Sequence, residues 1–117
     1  MELQYSELEN GIRVIKLIGT LDINGANSID IKFTGHCAGQ KVRVMVDLSE
    51  VGFVASMGIR MLVLSAKSVA SRGGKMVLVN PTPDVKNVLE ISGIPGIIPI
   101  YSDLESAKSG ILEEKYA

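Results

Sequence analysis

The sequence has few of the residues that most enzymatic and metal-binding functions need. One cysteine, Cys37, cannot form an internal disulfide, and one histidine, His36, has no second imidazole or cysteine cluster with which to hold a metal. Neither sign of charge dominates, since 12 Lys+Arg stand against 13 Asp+Glu. That balance gives no basic surface for nucleic acid and no polybasic membrane anchor. No apolar run reaches the roughly 20 residues a membrane span requires, and no signal peptide opens the chain. The expectation is therefore a soluble cytoplasmic protein. Phosphate-cradling motifs of the P-loop or G-x-G-x-x-G kind are missing after every strand-like run, so no nucleotide cofactor is implied. Repeats, low-complexity tracts and linkers are missing too, and 117 residues suit one compact domain spanning 1–117.

What is present alternates in period. Leu3–Leu8 and Ile12–Ile18 are strand-like runs around Glu9-Asn10-Gly11, and Asn-Gly favours the left-handed conformations of a tight turn, so the chain is predicted to open with an antiparallel hairpin. Asn24 is placed to cap a helix running to about Ala38, with Ala26, Ile29, Phe33 and Cys37 along one side and Gly39 past its end.

The centre of the chain carries the strongest pattern. Val42, Val44 and Val46 alternate as a central strand ending near Leu48, and Glu50 to Val54 reads as a connection packed against the body. Ser56 stands where a serine oxygen can cap a helix, which then runs to Gly73-Gly74. Ile59, Leu62, Val63, Ala66, Val69 and Ala70 fall at three- and four-residue steps and form its core face. A projection of about 100° per residue puts Met57, Met61 and Leu64 on the opposite side, where a solvated helix is polar. Such an outer patch predicts a second layer or a partner.

Lys75 to Asn80 reads as a buried strand, followed by a helix that Thr82 can cap, with Pro83 in its first position, Asp84 beside its positive end, and Val85, Val88 and Leu89 facing inward until Gly93. Ile97 to Tyr101 gives a last short strand, and Ser102-Asp103-Leu104-Glu105 reads as a capping box for a final helix with Leu104, Ala107, Lys108 and Ile111 in register. The predicted fold is an α/β domain: a mixed sheet opened by an antiparallel hairpin, its later strands parallel and joined by right-handed crossovers, with about four helices.

Asp47, Leu48, Ser49, Val51, Phe53, Val54, Ser56, Gly58 and Ile59 spell D-L-S-x-V-x-F-V-x-S-x-G-I, which closely resembles the signature of STAS domains, in particular the bacterial anti-sigma factor antagonists. Gly19-Thr20-Leu21-Asp22 resembles the G-x-L-D element of that family, and the segment from Leu78 to Ile94 matches as well, so the resemblance covers nearly the whole chain. It implies a non-enzymatic switch protein. In the family, the serine at the position of Ser56 is phosphorylated by a partner that is both serine kinase and anti-sigma factor, and a phosphatase resets it. The family usually has an acidic residue before that serine and often a second serine after it, where this chain has Ala55 and Met57. STAS domains also form tails of membrane transporters, and with no membrane-spanning run this chain resembles the free-standing kind.

The resemblance makes Ser56 the phosphoacceptor, Asp22 and Asn24 polar contacts from the neighbouring loop, and Val54, Met57, Gly58, Arg60 and Met61 the docking surface. The kinase would supply nucleotide and magnesium, leaving no cofactor, metal or catalytic residue here. Read from the residues alone, Ser56 is first of all a plain helix cap, and Gly58 only a close-packing glycine. A scaffold of the same fold that is never phosphorylated, and a small-ligand or nucleotide-binding domain, are the rival functions. Catalysis by Ser56 itself lacks support, because no glycines flank it as in a nucleophile elbow and His36 falls in a different helix.

Overall fold

The computed structural model describes residues 1–8 and 10–112. Five strands lie in sequential order, β1 (Glu2–Glu7), β2 (Arg13–Leu21), β3 (Arg43–Val54), β4 (Lys75–Val79) and β5 (Ile100–Tyr101). The first pair is antiparallel, with Leu3 opposite Leu17 and Tyr5 opposite Ile15, and the remaining pairs are parallel. The predicted hairpin is present. Gly11 takes φ +83° in its turn, where the Leu8 N–H donates to the Ile12 carbonyl at 2.8 Å; Glu9, the first residue of the predicted turn, lies outside the described residues.

Helices α1 (Ile23–His36), α2 (Ser56–Ser71) and α3 (Pro83–Ile91) carry the three parallel crossovers, and α4 (Leu104–Leu112) follows β5. Because side chains alternate along a strand, β3 and β4 feed two cores. Val44, Val46, Leu48, Met76 and Leu78 pack with α1, α2 and α3 in the larger one, while Met45, Val77 and Val79 meet Ala107 and Ile111 of α4 in the smaller. Thr82 caps α3 and Pro83 opens it, as its sequence dictates.

Three expectations about element ends need correction. The segment from Glu50 to Val54 is not a loop but the second half of β3, paired with β2 through two register shifts that set Glu50 against Ile18 and Val54 against Leu21. Bulged pairing breaks strict alternation, so Val51 and Val54 turn inward while Gly52 and Phe53 both stay exposed. Ser102 does not open α4; Asp103 does, its carboxylate accepting from the Ser106 N–H at 2.7 Å. The run Ile97 to Tyr101 contributes only Ile100 and Tyr101 as strand, since a single 3-10 turn occupies Ile94–Gly96 and Ile98 is buried outside the sheet.

Candidate functional site

The site forms where β2 and β3 end side by side. The Ala55 N–H donates to the Leu21 carbonyl at 3.0 Å, so the residues that follow, Asp22 and Ser56, begin α1 and α2 at the same corner. Two glycines permit the approach. A Cβ on Gly58 would sit 2.6 Å from Leu21 Cγ and overlap the Leu21 carbonyl oxygen, and one on Gly25 would overlap the carbonyl oxygen of Thr20. The first turns of both helices thus rest directly on the last residues of β2.

Capping differs from the sequence expectation at both helices. Asp22, not Asn24, is the α1 cap, with Oδ1 accepting from the Gly25 N–H at 2.8 Å; Asn24 is an exposed residue inside the first turn. Ser56 is not the α2 cap either. Ala55 takes that position with extended backbone and no side chain to offer, and Ser56 is the exposed first residue of the helix. The cause is the pairing of Ala55 with Leu21, which keeps the chain extended one residue longer than its local sequence suggests.

Of the predicted docking residues, the structure leaves Met57 and Arg60 exposed and buries the others. Val54 is 3% exposed and Met61 9%, both within the main core, and Gly58 is buried against Leu21. Met61 therefore does not belong to the outer face: α2 packs sideways on α1 as well as down on the sheet, so its apolar arc is wider than a one-sided projection allows. Leu64 and Met57 do remain exposed. The sequence reading missed Ile23 and Phe53, which are 51% and 55% exposed at the same corner. No sign of this was legible for Ile23, since it stands three residues before Ala26, in step with the inward spacing of Ala26, Ile29 and Phe33. For Phe53 the signal was hidden by the bulge.

From this corner a groove of about 560 Å³ runs between α1 and α2, floored by Ala26, Met61 and Leu64 and rimmed by Asp30 and Arg60. The two helices are parallel, and their far ends are tied by two guanidiniums. Arg13 of β2 donates to the carbonyls of His36 and Ala38 at 2.9 and 2.7 Å, and Arg72 donates to those of Cys37 and Gly39 at 2.7 and 2.8 Å. Four successive carbonyls, from the last residue of α1 onward, are thereby satisfied, which suits the negative end of a helix. Cys37 lies beneath them, and burial pushes its thiol up to about 11 against the weaker opposing pull of Arg72 and Arg13.

His36 closes the 14-residue helix that Asp22 opens, which at the helical rise sets it about 20 Å from Ser56, and its ring stacks on Tyr5 with centroids 4.0 Å apart. Among the described residues no group of three or more His, Cys, Asp or Glu could hold a metal ion.

Comparison with known proteins agrees with this geometry. The model of the STAS domain family matches residues 6–107. BtrV of Bordetella bronchiseptica, a candidate anti-sigma factor antagonist, is 28% identical over 107 residues, covering 92% of this chain and 91% of its own. Among solved structures, an anti-sigma factor antagonist from Mycobacterium paratuberculosis superposes with a TM-score of 0.85 at 20% identity, over 95% of this chain and 93% of that one. The anti-sigma factor antagonist SpoIIAA, also 20% identical, superposes with TM-scores of 0.76 in its unphosphorylated form and 0.67 in the phosphorylated form from Bacillus. The unphosphorylated match covers 98% of this chain and 100% of that one, and the phosphorylated match 93% and 99%.

Proposed function

This chain belongs to the STAS domain family, and from that premise we propose that it is an anti-sigma factor antagonist whose binding to an anti-sigma factor serine kinase is switched by phosphorylation of Ser56. One observation carries the reading: Ser56 is exposed on the first turn of α2 among the exposed side chains of Ile23, Phe53, Met57 and Arg60. Unmodified, this corner offers an apolar surface with one cationic group, and the bound kinase would be held away from its sigma factor. A phosphate adds about −1.5 to −2 charges at the middle of that surface, which a partner would have to desolvate or oppose with its own charge. A phosphatase would restore the first state. That SpoIIAA has both an unphosphorylated and a phosphorylated form supports the reading for a domain of the same fold.

In this reading Ala55 leaves room for the modification. Ala55 leaves the first-turn amides of α2 without a side-chain acceptor, so a phosphate on Ser56 would meet free donors and the positive end of the helix and keep the fold intact. Asp22 takes a positioning part here, since its carboxylate is engaged in capping α1.

Intact-mass measurement after incubation with ATP and an anti-sigma type kinase of the source organism, on the native chain and on Ser56→Ala, tests the proposal. The native chain should gain one phosphate and lose the complex, and the variant should gain none and stay bound. Tight binding with no phosphate on the native chain would instead make it a constitutive scaffold. The α1–α2 groove supports one other reading, a small-ligand site, because its volume and few rim charges fall in the range of such sites. A ligand-dependent rise in melting temperature with nucleotides or metabolites would favour it.

A further inference from the structure

Resting on the phosphorylation reading above, we infer that Arg60 is the internal partner of the Ser56 phosphate, so that modification also withdraws this guanidinium from the rim of the α1–α2 groove. Ser56 and Arg60 are both exposed and stand four residues apart in α2, on one face and one turn from each other. At that spacing the Cβ atoms are about 6 Å apart, and an anion N-terminal to a cation is the better order of the pair.

Arg60 is available for this. It makes no ion pair among the described residues, whereas the guanidiniums of Arg13 and Arg72 are occupied by backbone carbonyls at the far end of the groove. Asp30 lines the same groove from α1 but lies beyond ion-pair distance, and Asp22 is engaged with the Gly25 N–H. A phosphate carries more charge than either carboxylate and three acceptor oxygens, and a guanidinium fork matches two of them at once. The unmodified domain therefore offers a partner's acidic residue a donor fork between Met57 and Leu64. The modified domain turns that fork back on itself. Binding is lost twice, through added repulsion and through a missing attraction.

The test installs phosphoserine at position 56 of the full chain during synthesis, so that its outcome does not depend on any kinase. Phosphorus NMR then follows the second ionisation of the phosphate, ordinarily near pH 6, in the native background, in Arg60→Gln and in Arg60→Lys. The native chain should titrate about 0.3–1 pH unit below Arg60→Gln, with Arg60→Lys between them, because a cation held at the phosphate favours its dianion. Arg60 is exposed, and unchanged circular dichroism melting will show that the variants keep the fold. The same titration midpoint in the native chain and Arg60→Gln would overturn the inference. Failure of kinases to modify Ser56 in the mass experiment would instead remove the phosphorylation reading, while leaving this titration readable.

Discussion

Leu21 accepts a hydrogen bond from Ala55 at 3.0 Å and lies under the Cα of Gly58, so one residue at the end of β2 fixes both the approach and the first turn of α2. Gly58→Ala puts a methyl group into a backbone oxygen that cannot rotate away. We expect a loss of about 1–3 kcal/mol in urea unfolding, the range for overpacked sites. An unchanged midpoint would show that the corner can open, and that Gly58 serves something other than close approach.

Met61 and Met57 separate the core of α2 from its surface. Met61→Ala should cost about 2–5 kcal/mol, as truncation of a buried methionine does, whereas Met57→Ala, at a 44% exposed position, should stay within about 0.5 kcal/mol. Thermal or urea unfolding of the two variants side by side checks this. Equal losses would mean that α2 is rotated relative to the packing described above.

Cys37 gives the fold an alkaline limit. In the unfolded chain the thiol ionises near its ordinary value of 9, while burial holds it to about 11 in the folded domain. Across that window the unfolded chain has given up a proton that the folded one retains, so stability is complete below about pH 9 and falls as pH rises toward 11. Cys37→Ala should flatten the decline in urea unfolding between these values. The native thiol should also react with Ellman's reagent at pH 8 far more slowly than the urea-unfolded chain, since the thiolate is the reacting form.

Much of the fold was legible because periodicity and punctuation agreed. Asn10-Gly11 marked the hairpin, alternating valines marked β3, and Thr82-Pro83 marked the start of α3. The ends of elements were harder to read. At two misread helix starts neighbouring residues could each cap, and Asp22 did so over Asn24 and Asp103 over Ser102; at α2 the pairing with Leu21 set Ala55, which has no capping side chain, ahead of Ser56. Met61 was misplaced for a similar reason. A helical projection shows one apolar arc but not how many neighbours the arc meets, and α2 meets both the sheet and α1. At the site, Ser56 and Arg60 were readable as exposed candidates, while Phe53 depended on a bulge that no local pattern announces.

Arg13 and Arg72 take alternate carbonyls at and beyond the end of α1, His36 and Ala38 by one and Cys37 and Gly39 by the other. The two guanidiniums come from β2 and α2, so α1 cannot slide or tilt at that end without breaking bonds to both of its neighbours. Under the proposed switch, the modified and unmodified domains would then present nearly the same outline. The burden of telling them apart falls on the partner, which must sense charge at one corner of an unmoving body.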